Sequence, residues 1–331
     1  MRYTTFGQTG LRVSELVLGA MTFGEQGGVG APIEECRRIL DAYVEAGGNV
    51  VDTAINYREG ASEEILGELL AGRRDRFVVA TKYTVTRDPA DPNGGGNHRK
   101  NLRLSLETSL RRLRTDHVDI YWVHIWDRHT PIDETMRALD DAVTAGKILY
   151  IGVSDTPAWV VSRANTLAEW RGWTPFAGLQ VPYSLINRDA ERELLPMAEA
   201  YGLTVTAWSP LGGGVLSGKY SAGPPAGTTR LRRDTISDRD LGISRVVQEV
   251  AGELGVTPAQ VALAWTRQRE GVLPIIGART ADQLQDNLGC TAVTLPPQLA
   301  LRLETATGFS PGFPADFIAQ TRAWVLGAAA L

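Results

Sequence analysis

Six polar or aromatic side chains follow the ends of six different predicted strands. They are Asp52, Lys82, His124, Ser154, Gln180 and Trp208. A tyrosine, Tyr57, lies five residues after Asp52, on a loop that leads into a predicted helix. In an α/β barrel the carboxyl ends of all the strands meet on one face, where active sites are built. We therefore expect these seven side chains to converge on one site.

The residue types in this set suit acid–base chemistry. A free phenol has a pKa near 10 and is a poor proton donor at neutral pH. A lysine ammonium about 4 Å away favours the phenolate by about 4 kcal/mol at an effective dielectric of 20, which makes the phenol a better acid. The sequence predicts that Lys82 lies beside Tyr57, that Asp52 holds the lysine, and that His124 orients or polarises a substrate oxygen. Taken singly, each residue also has a plainer structural interpretation.

The helix after Tyr57 is predicted to begin with Ser62 as its cap. Glu63 and Glu64 then lie in the first turn, where the helix dipole favours negative charge.

A second group of residues suits a dinucleotide. The segment 208–214 presents the indole of Trp208 and then a glycine-rich backbone that a ligand can approach closely. Ser154 and Gln180 can hydrogen-bond an amide such as a nicotinamide carboxamide. Segment 276–280 enters a helix whose N-terminus is an anion site, and Arg279 there suits a phosphate monoester, although it can equally be a solvated arginine.

Size and composition exclude several other classes of function. The 331 residues are 43% hydrophobic and 22% charged, and the net charge of −4 gives no electrostatic case for nucleic acid or an anionic membrane. Cys36 and Cys290 are expected to be small buried residues in a reducing compartment, and the four histidines lack metal-ligand spacing. With no signal-peptide profile and no apolar run of membrane length, we expect a cytoplasmic protein without a metal site.

Strand and helix patterns alternate along the chain. The predicted strands are Glu15–Gly19, Asn49–Asp52, Phe77–Lys82, Val118–His124, Ile148–Val153, Ala177–Gln180, Leu203–Trp208 and Val272–Ile276. The predicted helices are about 33–46, 62–71, 100–114, 131–145, 157–170, 189–201, 244–269 (broken near 255–258) and 280–289.

This count predicts an α/β fold, a (β/α)8 TIM barrel, as one domain over residues 1–331. We also expect an N-terminal β-hairpin over residues 3–14 and a long loop over about 212–240. An extra helix at 297–306 begins a C-terminal tail over about 296–331.

One segment partly matches a nucleotide-binding motif. Residues 213–220 approach the Gly-x4-Gly-Lys-Ser/Thr phosphate loop, but Tyr220 replaces the hydroxyl that would bind Mg²⁺. Pro210 also separates the segment from its strand. An NTPase is therefore a poor interpretation, and no Gly-x-Gly-x-x-Gly fingerprint opens a Rossmann unit.

The sequence also resembles the aldo-keto reductases over nearly its whole length. The resemblance is carried by residues 18–24, 52–57, 80–82, 118–124, 152–154, 208–211 and 277–287. Within that family the chain looks like a bacterial-type member, similar to the group that includes the potassium-channel β-subunits. The resemblance implies a (β/α)8 barrel that binds NADP(H) across its C-terminal face, with hydride transfer to a carbonyl carbon.

The resemblance also assigns residues. It implies a catalytic tetrad of Asp52, Tyr57, Lys82 and His124, with the tyrosine protonating the carbonyl oxygen. The implied cofactor-binding residues are Met21, Asp52, Ser154, Asp155, Gln180, Trp208, Ser209, Pro210, Leu211, Gly212, Lys219, Arg230, Gly277, Arg279, Gln283, Asp286 and Asn287. Phe23 and Trp126 are expected to wall the substrate pocket. The chain departs from many members at Asp155, where they have asparagine, and at Gly277, where some have lysine.

The leading hypothesis is thus an NADP(H)-dependent reductase of aldehydes or ketones that acts on a small-molecule carbonyl substrate. One alternative is a cofactor-binding regulatory subunit resembling the channel β-subunits, although the barrel pattern begins at Tyr3 and so leaves little room for an inactivation segment. Another alternative is a sugar-pathway enzyme with tightly bound NADP(H). A homo-oligomer is compatible with the sequence.

Overall fold

The computed structural model describes residues 1–28, 30–221 and 231–327. The strands within these ranges are β1 (Tyr3–Thr5), β2 (Arg12–Ser14), β3 (Val17–Gly19), β4 (Val50–Asp52), β5 (Val78–Tyr83), β6 (Val118–Val123), β7 (Ile148–Ser154), β8 (Phe176–Pro182), β9 (Thr204–Trp208) and β10 (Val272–Ile276). The α-helices are α1 (Ile33–Glu45), α2 (Ala61–Leu69), α3 (Arg99–Leu113), α4 (Ile132–Thr144), α5 (Ala158–Arg171), α6 (Leu194–Ala200), α7 (Asp238–Leu254), α8 (Pro258–Gln268), α9 (Ala281–Leu288), α10 (Pro297–Thr307) and α11 (Ala315–Leu326).

Strands β3 to β10 close into a barrel in which all neighbouring strands are parallel. Strands β1 and β2 form a separate antiparallel ribbon that pairs Tyr3 with Ser14. The predicted (β/α)8 barrel with an N-terminal hairpin is confirmed. Every residue of β5 and β6 is buried, as expected for strands covered by helices on one face and by the barrel interior on the other.

The long predicted helix near the end of the chain is two helices, as the glycine and proline in its middle indicate. Gly255 ends α7 in a left-handed conformation, with φ of +66°. Thr257 then caps α8 through a capping box with Gln260, and Pro258 takes the first helical position. Helix α7 begins at Asp238, six residues before the predicted start, because Ser237 caps it by accepting from the Asp240 N–H.

The chain after α10 lies against the loop that follows β8. Arg188 bonds Thr307 and places its guanidinium 4.8 Å from the Phe309 ring centroid. Arg192 donates to the backbone oxygens of Ser310 and Pro311. Helix α11, which the sequence patterns did not predict, then follows with no buried residue.

Candidate active site

A cavity of about 630 Å3 opens at the carboxyl-terminal ends of the barrel strands. The predicted site residues that line it are Met21, Asp52, Tyr57, His124, Ser154, Asp155, Gln180, Trp208, Ser209, Pro210, Leu211, Lys219, Gly277, Arg279, Gln283, Asp286 and Asn287. The barrel thus brings residues that are far apart in sequence together around one cavity.

The register of two neighbouring strands places Lys82 beside Asp52. Asp52 on β4 pairs with Ala80 on β5, so Lys82 lies two residues further along and on the same face of the sheet. Lys82 is completely buried, and its ammonium forms an ion pair with the Asp52 carboxylate. It also donates to the Thr53 carbonyl oxygen at 2.7 Å.

The electrostatics of Lys82 involve Tyr57 as well. Its ammonium lies 4.7 Å from the centroid of the Tyr57 ring. Burial opposes the lysine's charge, but the charge and hydrogen bond of Asp52, together with the neighbouring Tyr57 hydroxyl, outweigh it, so the pKa of Lys82 is raised. Lys82 is therefore a fixed cation beneath the phenol at neutral pH.

The loop that carries Tyr57 does not end as the sequence predicted. Helix α2 begins at Ala61 after Gly60, which has a φ of +100°, and no side chain caps it. Ser62 instead bonds Thr53 at 2.8 Å and donates to the Ala20 carbonyl oxygen at 2.7 Å. The prediction of Ser62 as a cap is wrong, because its hydroxyl ties the helix to the strand ends of β3 and β4.

Glu63 and Arg112 hold the Tyr57 loop from below. Arg112 on α3 donates to the Ile55 carbonyl oxygen at 2.9 Å and pairs with the buried Glu63 at 3.3 Å. Thr81 donates to the other Glu63 oxygen at 2.7 Å. Burial raises the pKa of Glu63, while these hydrogen bonds and the arginine charge oppose the rise.

His124 faces the Tyr57 ring across the site. The two ring centroids are 6.1 Å apart with an interplanar angle of 80°. Burial and the nearby charge of Lys82 lower the pKa of His124 to about 3, so its imidazole is neutral at physiological pH. Its Nδ1 is buried and has no hydrogen-bond partner among the residues that the structure describes.

Polar side chains and the indole of Trp208 lie at the ends of β7, β8 and β9. The Trp208 Nε1–H donates to Asp155 at 3.3 Å. Gln180 donates to Asp52 and to Thr206, both at 3.2 Å. The Ser154 hydroxyl is buried without a hydrogen-bond partner in the described part of the chain.

The other end of the cavity lies at the N-terminus of α9. The Gln283 side chain accepts from the Arg279 backbone N–H at 3.0 Å, and Thr280 caps the helix. Asn287 donates to the Gly277 carbonyl oxygen at 3.4 Å. Asp286 accepts from Thr257, the cap of α8, and from Gln260 in the first turn of that helix.

Between the two ends, the cavity wall is formed by the glycine-rich segment. Gly213 and Gly214 line it with φ values of +66° and +94°, and a Cβ on Gly214 would come within 2.5 Å of the Lys219 ammonium nitrogen. Residues 212–217 form a short 3-10 turn rather than a loop running into an α-helix. The geometry therefore does not support a phosphate-binding loop of the NTPase type in this segment.

Some predicted residues lie elsewhere. Phe23 is fully buried in the core and does not line the cavity. Trp126 packs edge-on against Trp159 at 5.6 Å rather than on the cavity wall, and Gly212 packs near Ile186. Arg230 lies outside the described residues.

The cavity also has walls that sequence reasoning missed. They include Thr22, Asn56, Val85, Ile125, Ala259 and Leu263. Val85 and Ile125 lie two residues beyond the ends of β5 and β6, so the strand-end rule that selected His124 also points to this part of each loop. Ala259 and Leu263 come from α8, and no sequence signal marks a helix residue that reaches the site.

Among the described residues, no group of three or more histidine, cysteine, aspartate or glutamate side chains is placed to hold a metal ion. Within the same ranges, no helix has the length and apolar character needed to cross a membrane.

Comparison with known proteins identifies the family. The model of the aldo/keto reductase family matches residues 15–306. The chain belongs to this family. It is 37% identical to a putative aryl-alcohol dehydrogenase of Saccharomyces cerevisiae, over 93% of this chain and 87% of the relative. It is 39% identical to the norsolorinic acid reductase of Emericella nidulans, over 94% and 83%.

A further relative is named with its cofactor. The aryl-alcohol dehydrogenase [NADP(+)] of Phanerodontia chrysosporium is 36% identical, over 92% of this chain and 85% of its own. Membership of the family makes the present chain an oxidoreductase of the carbonyl-reducing class.

Proposed function

We propose that the protein is an NADP(H)-dependent reductase of aldehydes or ketones in which Tyr57 is the general acid. The observation that carries the proposal is the buried ion pair of Lys82 and Asp52 beneath the Tyr57 ring, at the floor of an open cavity. A fixed cation beside a phenol favours loss of the phenolic proton in the transition state. Stability does not explain this ion pair, because burying two charges costs free energy that apolar side chains of similar volume would not cost.

Each residue of the group then has a distinct task. Tyr57 donates its proton to the carbonyl oxygen as negative charge develops there. Lys82 stabilises the phenolate that remains, and Asp52 keeps the lysine in place. His124, held neutral, is suited to donating a hydrogen bond to the substrate oxygen rather than competing to protonate it.

The residues around the cavity fit a nicotinamide dinucleotide. The buried, unsatisfied Ser154 hydroxyl matches a carboxamide, and Trp208 presents an indole to the cavity beside it. Gly213 and Gly214 leave room for a pyrophosphate next to Lys219, and the α9 N-terminus with Arg279 suits the 2′-phosphate of NADP(H). When bound, NADPH supplies the hydride that reduces the carbonyl carbon.

An aromatic carbonyl compound is the substrate class that the walls suit best. Val85 and Ile125 line the cavity near Tyr57 and His124, which makes this part of the wall apolar. Two of the relatives are named for aryl alcohols, which agrees with this preference.

The test compares Tyr57→Phe with the wild-type protein. The assay measures NADPH oxidation with a nitrobenzaldehyde, and calorimetry measures NADPH binding. We expect the variant to lose at least about 100-fold in kcat, because general acid catalysis typically contributes that much, with little change in the Kd for NADPH.

Tyr3→Phe is the matched control, since Tyr3 lies on the N-terminal hairpin and donates to the Gly47 carbonyl oxygen far from the cavity. It should retain wild-type turnover. If the wild-type protein binds NADPH but oxidises it with no aldehyde tested, the reductase proposal is wrong and a regulatory, cofactor-binding role is favoured. If it binds no NADPH at all, the cofactor assignment fails as well.

A further inference from the structure

Asp155 places a carboxylate in the wall of the cavity, immediately after Ser154 at the end of β7. Its Oδ1 accepts the Nε1–H of Trp208 at 3.3 Å. The carboxylate therefore lies at the Nε1 edge of the indole, and Asp155 and Trp208 line the same cavity as Tyr57 and His124.

The backbone holds this carboxylate in position. Asp155 has a φ of +41°, in the left-handed region that aspartate, asparagine and glycine tolerate best. Helix α5 begins three residues later at Ala158, and Thr156 donates to the Ser154 carbonyl oxygen at 2.8 Å. A connection this short leaves the side chain little freedom to swing away from Trp208.

The charges at this end of the cavity do not cancel. Asp52 and Lys82 form an ion pair, His124 is neutral, and the Asp155 carboxylate therefore leaves this group of side chains with one net negative charge. No ion pair to Asp155 occurs within the described ranges. Desolvation raises the pKa of Asp155 although the Trp208 N–H and the charge of Lys82 oppose the rise, which means that a cation beside it would be stabilised.

We propose that Asp155 makes the site prefer the oxidised, cationic nicotinamide of NADP⁺ over the neutral nicotinamide of NADPH. The inference rests on the proposed function and deepens it. In the balanced reaction an alcohol and NADP⁺ give a carbonyl compound, NADPH and a proton. The equilibrium in solution is unchanged by the protein, but on the protein Asp155 stabilises NADP⁺ relative to NADPH. The bound equilibrium is therefore shifted toward NADP⁺ and the alcohol, which is the direction of carbonyl reduction.

The test measures binding rather than turnover. Calorimetry gives the Kd of NADP⁺ and of NADPH for the wild-type protein and for Asp155→Asn at neutral pH. We expect the ratio of the Kd for NADPH to the Kd for NADP⁺ to fall about tenfold in the variant, which corresponds to about 1.4 kcal/mol. Asparagine keeps the acceptor for Trp208 and tolerates the left-handed backbone, so the change removes the charge alone. Should that variant not fold, Asp155→Gly removes the same charge at a φ that glycine adopts freely.

Asp286→Asn is the matched control, because Asp286 lines the same cavity at the α9 end, where the two cofactor forms are chemically identical. It should change both Kd values alike and leave their ratio at the wild-type value. An unchanged ratio in Asp155→Asn, or an equal shift in Asp286→Asn, overturns the inference while the proposed function stands. A wild-type protein that binds neither form overturns both.

Discussion

His124 shows, at the scale of a single residue, how the site fixes a protonation state. Its imidazole is enclosed by the barrel end and lies near the Lys82 ammonium, and both effects disfavour the imidazolium. In the unfolded chain the same side chain has its ordinary pKa of 6.5. The folded state therefore binds this proton less readily than the unfolded state does.

This difference predicts a loss of stability in mild acid. Because the folded pKa is depressed, the contribution of His124 is fully present above pH 6.5 and is lost as pH falls from 6.5 toward about 3. Within that window it steepens the fall of the free energy of unfolding by up to about 1.4 kcal/mol per pH unit. Urea titrations at several pH values give the free energy of unfolding as a function of pH. Between neutral pH and mild acid, this free energy should fall less steeply for His124→Gln than for the wild-type protein. His129→Gln, at an exposed histidine, is the control, and equal flattening in both variants would contradict the assignment to His124.

At the scale of an element, the loop between β4 and α2 is held in an unusual conformation. Arg58, Glu59 and Gly60 have successive left-handed φ values of +52°, +57° and +100°. For the two non-glycine residues this conformation costs on the order of 1 kcal/mol each. The bond from Arg112 to Ile55 and its ion pair with Glu63 stabilise the loop that presents Tyr57.

We expect Arg112 to act as a positioning residue, and this role can be separated from folding. Arg112→Met should cost about 3 kcal/mol or more in the free energy of unfolding, because it leaves the buried Glu63 without its partner. In the double variant Arg112→Met with Glu63→Gln, part of the stability should return while kcat stays at least about tenfold reduced and the Kd for NADPH changes little. Chemical unfolding, steady-state kinetics and calorimetry measure the three quantities. Arg111→Met, which changes an exposed arginine one residue earlier, is the control. A wild-type kcat in the double variant would show that Arg112 acts on stability alone.

At the scale of the whole molecule, the two ends of the barrel have different tasks. The carboxyl-terminal end carries the cavity, whereas the N-terminal ribbon closes the opposite end. Phe6 is 1% exposed and meets Trp122 edge-on inside the barrel, with ring centroids 6.2 Å apart. Gly178 is required beneath it, since a Cβ there would lie 2.4 Å from the Phe6 ring.

Phe6→Ala should therefore destabilise the protein without altering its chemistry. The loss of a fully buried phenylalanine costs about 3–5 kcal/mol. Thermal and urea unfolding should show this loss, while kcat measured well below the unfolding temperature stays within about twofold of wild type. Tyr3→Ala, on the same ribbon but 54% exposed, should cost about 1 kcal/mol. A large fall in kcat for Phe6→Ala at full folding would mean that the two ends of the barrel are coupled.

The sequence alone determined the barrel and the residues at its strand ends. Alternating apolar strands and amphipathic helices have few alternatives to a closed parallel barrel, and in that barrel the end of each strand must face the same side. Asp52, Lys82, His124 and Trp208 could therefore be assigned to one face from their positions alone. Resemblance to a known family supplied the cofactor, which the residues by themselves only suggested.

Tertiary structure decided the features that depend on contacts between distant segments. The hydroxyl of Ser62 bonds Thr53 and Ala20 rather than its own helix, and Phe23 lies in the core although it is close in sequence to the cavity residue Met21. The α8 residues that line the cavity likewise carry no local sequence signal. The physical reason is that a periodic pattern specifies which face of an element is apolar, whereas the partner of a polar group is set by the packing of whole elements against each other.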